Sequence, residues 1–121
     1  MRLETVAQSL MRITRADTGM GGAELRAGDP VVVMLGAANR DPAVFDDPTS
    51  FRLDRGGAPN LGFGFGFHHC LGAATARQET RSFLEVLLEA LPNLEVVRLE
   101  YGPSWAVWGP RSLEVRLKPA G

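Results

Sequence analysis

The stretch FGFGFHHCLG, residues 63–72, carries the strongest signal in this chain. Phenylalanines and glycines alternate ahead of the single cysteine, Cys70, and the stretch leads directly into a helical pattern over residues 71–91. A cysteine at a helix N-terminus lies near unsatisfied N–H groups and the positive end of the helix dipole, which favour the thiolate. Flanking glycines let the backbone approach a flat ligand closely, and the phenylalanines exclude water. Such an apolar pocket around a thiolate suits a strongly donating axial ligand of a metal.

Four other interpretations of Cys70 compete with that one. Free cysteine is among the most buried residue types, so a structural role in the core is an ordinary alternative. Zinc binding with His68 and His69 fits poorly, because contiguous ligands cannot wrap a tetrahedron. A nucleophile with a histidine base lacks an obvious orienting acid nearby. A phosphate-binding loop is rejected, because the glycine spacing over residues 62–66 is not that of a dinucleotide fingerprint.

The composition bounds the class of protein. With 121 residues, 45% of them hydrophobic and 22% charged, the chain has the size of one globular domain. A net charge of −1 with dispersed arginines excludes the basic surface of a nucleic-acid-binding protein. One cysteine excludes an internal disulfide and any multi-cysteine zinc site. Since no apolar run has the length of a bilayer span or a signal peptide, we expect a soluble, cytoplasmic protein without a membrane partner.

Short strands, an ordered loop and a terminal hairpin are predicted around the helix. Residues 1–36 alternate apolar and polar side chains between glycine-rich turns, as short strands do. The apolar run after Pro30 fits a strand, or a short helix that begins near the proline. Residues 37–62 are rich in proline and charge and predict a loop. Pro92 ends the helix, and residues 94–118, including Trp105 and Val107, predict a β-hairpin.

Residues 63–72 resemble the haem-binding signature of the cytochrome P-450 family, Phe-x-x-Gly-x-(Arg/His)-x-Cys-x-Gly. The match holds at each fixed position, namely Phe63, Gly66, His68, Cys70 and Gly72. Residues 37–42 and 73–79 are similar to the stretches that flank the cysteine in bacterial members, so the resemblance covers essentially the whole chain. It implies an α+β fragment, the C-terminal part of the mainly-α fold of that family. The implied parts of this single partial domain are short strands and turns (1–36), a meander (37–62), the cysteine-ligand loop (63–72), the helix (71–91) and the hairpin (94–118).

The resemblance also implies the site and its cofactor, haem b (iron protoporphyrin IX). Cys70 would be the proximal thiolate ligand of the iron, and the thiolate favours O–O cleavage by donating electron density. His68 would donate a hydrogen bond to a haem propionate, Arg12 would pair with a propionate, and Phe63 would shield the sulfur. The other implied haem contacts are Gly64, Gly66, Leu71, Gly72 and Ala76, with Gly66 and Gly72 permitting the tight loop. The implied activity is oxidation of a small organic substrate with dioxygen, with a ferredoxin as electron donor.

Several positions depart from the family pattern. Asn60 stands where many bacterial relatives have a histidine that contacts a propionate, and Thr75 stands where leucine is usual. Phe65 and Phe67 make the loop bulkier and more apolar than is common.

A larger departure is length, because this region is only the last part of a typical member. The central helix with the acid–alcohol pair that delivers protons has no counterpart, and Arg2 matches the arginine of a Glu-x-x-Arg motif whose glutamate would precede the chain. Arg55 is then the best candidate for the arginine that this motif grips. We therefore expect a start at an internal methionine and an exposed apolar surface on the helix and loop. Three functions follow: a truncated monooxygenase, a module completed by an upstream polypeptide or partner chain, or a split-gene product without activity.

Overall fold

Three antiparallel strand pairs and one long helix make up the part of the chain that the computed structural model describes, residues 1–56 and 60–117. The elements are β1 (Leu10–Ile13), β2 (Thr18–Met20), β3 (Ala23–Leu25), β4 (Pro30–Val33), α1 (Leu35–Ala38), α2 (Ala73–Ala90), β5 (Leu94–Tyr101) and β6 (Pro110–Leu117). These elements confirm the predicted α+β fragment. They fall into two compact units, residues 1–62 with 104–108 and residues 63–103 with 109–117. The single partial domain and its boundaries stay a prediction.

The first unit contains the four short strands. β1 pairs with β4 and β2 pairs with β3, both antiparallel. The β2–β3 hairpin turns through Gly21 and Gly22, whose φ angles of 57° and 85° match the positive values that a tight two-residue hairpin turn requires. Pro30 begins β4 and does not begin a helix, because α1 starts only at Leu35. A proline is tolerated at the first residue of a strand, where its missing N–H removes no ladder bond.

Residues 104–108 belong to the first unit, which corrects the prediction that Trp105 and Val107 form part of a hairpin over 94–118. Val107 forms an antiparallel bridge with Ala7. The N–H of Trp108 donates to the carbonyl of Val6 at 2.6 Å, and the indole N–H of Trp108 donates to Glu4 at 3.0 Å. The segment between the two terminal strands is therefore held by the N-terminal residues of the chain.

The core of the first unit is small and partly polar. Leu35 and Phe45 supply its buried apolar side chains, and Thr5, Ser9 and Asn39 are buried polar residues. Buried polar groups require hydrogen-bond partners. The Thr5 and Ser9 hydroxyls donate to backbone carbonyls, both at 3.3 Å.

The second unit contains α2 and the β5–β6 pair. The helix was predicted over 71–91 and spans Ala73–Ala90, with Leu91 as its C-cap ahead of Pro92. The terminal hairpin is confirmed for the described strands, while residue 118 of its predicted range lies outside the described residues. A bulge at Val97 keeps the apolar side chains of β5 in register with those of β6. The resulting apolar cross-strand pairs are Leu94–Leu117, Val96–Val115 and Leu99–Leu113.

Large apolar side chains are exposed along α2, as predicted. Phe83, Val86 and Leu88 are each more than 60% exposed, and Ala73 is the one residue of the helix that is buried. In the part of the chain that the structure describes, no helix has the length and apolar character needed to cross a membrane.

Candidate functional site

The cysteine loop folds back on itself between Phe63 and Cys70. The backbone N–H of Cys70 donates to the carbonyl of Phe63 at 2.8 Å, which closes the loop. Inside it, residues 66–68 form a 3-10 helical turn, and the N–H of His69 donates to the carbonyl of Gly66 at 3.0 Å. The loop therefore presents its residues from a hydrogen-bonded scaffold.

Glycine is required by the backbone at two positions of this loop. Gly64 and Gly66 have φ angles of 74° and 66°, in the left-handed region that other residues rarely adopt. A Cβ at Gly64 would also lie 3.2 Å from the carbonyl oxygen of His68. Gly72 has an ordinary φ of −83°, so the expectation that it permits the tight loop is wrong as far as the backbone is concerned. A Cβ there would lie 4.0 Å from the Cys70 sulfur, an ordinary contact.

Cys70 is exposed, which contradicts the alternative of a buried structural cysteine. Within residues 1–56 and 60–117, the hydrogen bonds of the structure include none to its thiol, so no histidine is placed as its base. The same residues contain no group of three His, Cys, Asp or Glu side chains able to hold a metal ion. Cys70 is thus a free, exposed thiol.

The helix begins three residues after Cys70 and is joined to it through the backbone. The N–H of Ala73 donates to the carbonyl of Cys70 at 3.2 Å, and the N–H of Ala76 donates to that of Gly72 at 2.8 Å. Ala73 is buried and Ala76 is half-buried, whereas the Leu71 side chain is fully exposed. The position of Cys70 just ahead of α2 is therefore as predicted.

The three phenylalanines of the loop differ in their surroundings. Phe65 and Phe67 are 81% and 108% exposed. Phe63 is half-buried, and its ring lies 6.3 Å from the His69 ring at an interplanar angle of 49°. The guanidinium of Arg77, on the second turn of α2, lies over the Phe63 ring, 4.5 Å from the ring centroid. The sequence pattern does not identify Arg77 as a site residue. The one sequence feature that indicates the contact is its position on the helix that follows the loop.

The two residues predicted to hold propionates lie in different units. His68 is exposed at the end of the 3-10 turn, and its side chain makes no hydrogen bond to any other described residue. Arg12 lies on β1 opposite Val31, is exposed, and donates from Nη1 to the carbonyl of Met11 at 2.8 Å. Neither side chain takes part in an ion pair within the described residues.

A second cluster lies in the first unit around the arginines singled out at positions 2 and 55. Arg2 donates to the carbonyls of Asn39 and Pro48 at 2.8 and 2.7 Å. Arg55 donates to the carbonyls of Asp46, Asp47 and Ser50. Both arginines therefore bind the backbone of the proline-rich loop.

These two arginines border a cavity of about 590 Å³. Burial, together with the like charges of Arg55 and Arg40, lowers the pKa of Arg2 from its usual value. The Nε of Arg55 is buried without a hydrogen-bond partner, and among described residues neither arginine forms an ion pair with a carboxylate. The cavity therefore has an excess of positive charge.

Comparison with known proteins assigns this arrangement to a family. The "Cytochrome P-450" family model matches residues 1–96. The chain is 38% identical over 123 residues to the steroid C26-monooxygenase of Mycolicibacterium smegmatis, a match that covers 99% of this chain and 31% of that protein. It is 40% identical over 114 residues to the mycinamicin IV hydroxylase/epoxidase of Micromonospora griseorubida, covering 91% of this chain and 29% of that protein.

Solved structures agree with the sequence matches. The crystal structure of the enzyme CYP109B1 from Bacillus subtilis superposes with a TM-score of 0.93 and 37% identity, over 96% of this chain and 32% of that chain. The chain thus spans about three-tenths of the length of the relatives that it matches.

Proposed function

The chain belongs to the cytochrome P-450 family, and we propose that it is the haem-thiolate portion of a bacterial-type monooxygenase, with Cys70 as the axial ligand of haem b. The observation that carries this proposal is the exposed Cys70 thiol, which sits on a closed glycine–phenylalanine loop directly ahead of α2. With the haem bound, thiolate donation to its iron supplies the chemistry of dioxygen cleavage.

The residues of the second unit fit this cofactor. A haem needs one protein ligand and an apolar surface for its faces, whereas zinc needs several ligands in one cluster. Cys70 supplies one soft donor, and the exposed side chains of Leu71, Phe65 and Phe67 supply apolar surface in the same loop. Apolar side chains this exposed are characteristic of a surface that another group covers.

Each of the other residues has a role in holding the cofactor. His68 donates a hydrogen bond to a propionate, Arg12 neutralises a propionate, and Phe63 covers the sulfur on the proximal side. The residues that contact the macrocycle are Gly64, Gly66, Leu71, Gly72 and Ala76. A ferredoxin supplies the electrons, a small organic molecule is the substrate, and the protein works in the cytoplasm.

Haem reconstitution followed by spectroscopy tests the ligand assignment. The 121-residue chain is loaded with haem, reduced and saturated with carbon monoxide, and we expect the red-shifted Soret band of a thiolate-ligated complex. Cys70→Ser should lose this band, while His68→Ala and His69→Ala should keep it. A wild-type spectrum typical of histidine ligation, abolished by either histidine variant, overturns the assignment.

A second candidate function is a haem-binding or partner-binding module without catalysis of its own. The exposed apolar side chains of α2, such as Phe83 and Leu88, favour it because they offer a surface for another polypeptide. The polypeptide proposed here corresponds to the part of a relative that this chain does not match. Isothermal titration of that polypeptide into the chain should give saturable binding that Leu88→Asp weakens. Unchanged binding in Leu88→Asp would argue against this surface.

A further inference from the structure

Phe63 connects three parts of the second unit. Its carbonyl accepts the hydrogen bond of the Cys70 N–H at 2.8 Å, so it is one end of the loop closure. Its ring contacts the His69 ring, 6.3 Å away between centroids. The guanidinium of Arg77 also lies over this ring, 4.5 Å from its centroid. The position of Phe63 is therefore coupled to the backbone of Cys70 and to a charged side chain of α2.

The charge of Arg77 is available for this contact. A cation within about 6 Å of a ring centroid is attracted to the negative face of the ring. Among the described residues Arg77 forms no ion pair, and its Nη1 makes only a long hydrogen bond of 3.5 Å to the Ala73 carbonyl one turn earlier. Arg81, the next arginine on the helix, instead lies 4.0 Å from Glu85. The two arginines thus differ in partner although both lie on α2.

Apart from backbone hydrogen bonds such as that from His69 to Gly66, the loop has few buried side chains to keep it closed. It contains two glycines with positive φ, and the side chains of Phe65 and Phe67 project into solvent. Segments with few buried apolar contacts open locally at low free-energy cost. Opening of this loop would separate the Cys70 N–H from the Phe63 carbonyl and release the thiol from its place ahead of α2.

We propose that Arg77 is a positioning residue for Cys70, acting through the ring of Phe63. The guanidinium holds Phe63 against the second turn of α2. Because the Phe63 carbonyl accepts the hydrogen bond of the Cys70 N–H, the backbone of Cys70 is restrained as well. The consequence for iron ligation rests on the proposed function, whereas the restraint on the loop does not. The role of Arg77 is to keep the thiol presented in one conformation.

Amide hydrogen exchange of the haem-free chain measures the restraint directly. Arg77→Met removes the charge at similar length, and we expect the Cys70 amide to exchange about two- to fivefold faster relative to the amides of α2. Arg77→Lys keeps a cation and is expected to restore the wild-type rate. Arg81→Met is the matched control on the same helix and should leave the Cys70 rate unchanged.

A double-mutant cycle separates the coupling from general destabilisation. Phe63→Leu should accelerate exchange as Arg77→Met does, and the double variant should be no faster than either single variant. The proposal is overturned if the Cys70 amide of the wild type is unprotected, or if it exchanges equally fast in Arg77→Met and the wild type. It is also overturned if this amide exchanges equally fast in Arg77→Lys and Arg77→Met, or if the effects of the two substitutions add in the double variant. Phe63→Leu and Arg77→Lys still decide the question if Arg77→Met does not fold.

The haem-loaded protein supplies a separate readout. In Arg77→Met a smaller fraction of the reduced carbonyl complex should show the thiolate band, and Arg77→Lys should recover it. If wild type takes up no haem while the exchange cycle shows coupling, the proposed function fails and the positioning role stands. If the thiolate band forms equally in all three proteins and the cycle shows no coupling, the positioning role fails and the proposed function stands.

Discussion

The side-chain Oδ1 of Asn39 accepts a hydrogen bond of 2.7 Å from the backbone N–H of Leu61. Asn39 is the C-cap of α1 and is fully buried, and its own carbonyl accepts a hydrogen bond from Arg2 at 2.8 Å. The Asn39 side chain, in the core of the first unit, thus connects the end of α1 to Leu61, which precedes the cysteine loop in the sequence. The Oδ1 of this amide is paired, whereas its Nδ2 is buried without a hydrogen-bond partner among the described residues.

Replacing Asn39 with alanine is expected to lower the free energy of unfolding by about 1–3 kcal/mol, because the part-buried N–H of Leu61 loses its acceptor. Urea denaturation measures the loss. Asn60→Ala is the matched control, since the Asn60 Oδ1 also accepts a backbone N–H, that of Gly62 at 3.0 Å, but Asn60 is exposed and water can replace it. Equal losses of unfolding free energy in the two variants would show that burial does not determine the contribution of the Asn39 hydrogen bond.

Gly66→Ala is expected to destabilise the chain by about 1–2 kcal/mol, the cost of holding an L-residue in the left-handed region. The cause is the backbone alone, because a Cβ at Gly66 would meet no atom within 4 Å. Gly102→Ala is the control, since Gly102 also has open space but an ordinary φ. The control substitution should leave the free energy of unfolding unchanged or raise it by up to about 1 kcal/mol, because alanine restricts the unfolded chain more than glycine does. Similar denaturation midpoints for both variants would show that the positive φ of Gly66 does not require glycine for stability.

Much of the fold follows from local patterns in the sequence. Apolar side chains at a spacing of three and four predict α2, Pro92 predicts its end, and alternation predicts β5 and β6. The partner of Val107 could not be predicted, because its alternation resembles that of the hairpin strands while its pairing with Ala7 depends on tertiary contacts. Long-range pairing of this kind has no local signature.

The cysteine loop was predictable as a segment but not in its details. The sequence shows where glycines stand but not their φ angles, so the structural demand at Gly64 was missed and that at Gly72 was overstated. The contact between Arg77 and Phe63 needs the path of the loop relative to α2, which residue spacing does not contain. Complete burial of Asn39 likewise has no signal in a stretch rich in proline and charge.

Arg12→Ala and His68→Ala are each expected to accelerate haem dissociation about tenfold or more without moving the Soret band. Charge-assisted contacts to a propionate contribute on the order of 1.5–3 kcal/mol, and in the proposed complex the iron is ligated by Cys70 and by neither of these residues. Transfer of haem to an excess of an apo-haem protein gives the rate. Arg15→Ala serves as the control, being an exposed arginine just after β1. A rate for Arg12→Ala equal to that of this control would identify Arg12 as an ordinary surface residue.

Stability below pH 5 should depend on the pair formed by Arg52 and Asp54. Hydrogen bonds from Arg52, at 3.1 and 2.8 Å, hold the pKa of Asp54 below its usual value. A carboxyl whose pKa is lower in the folded state stabilises it above the unfolded pKa of about 3.9 and loses that contribution as the pH falls through the folded pKa. Urea midpoints for Asp54→Asn should therefore fall less steeply between pH 5 and pH 2 than those of the wild type. Because the pair is exposed, the difference should shrink in high salt, and parallel curves at low salt would count against it.

The 121-residue chain is expected to form no hydroxylated product on its own, even when it is loaded with haem. Dioxygen chemistry requires protons delivered at the face opposite the thiolate and exclusion of water, which otherwise diverts electrons into peroxide. Within residues 1–56 and 60–117, the long helix is α2, which begins three residues after Cys70 and is joined to it by the Ala73 N–H. In the proposed haem complex, the side chains of α2 would lie on the side of the thiolate.

Coupled turnover is the measurement for this expectation. Ferredoxin, its reductase and a panel of hydrophobic substrates are supplied, and hydroxylated product is compared with peroxide released per electron consumed. We expect electrons to appear almost entirely as peroxide, with rapid bleaching of the haem. Adding a polypeptide that corresponds to the unmatched part of a relative should shift electrons from peroxide to product, because it would cover the exposed apolar surface and exclude water. Product close to the electron input from the chain alone would mean that its own residues, singly or in an oligomer, enclose the reactive face.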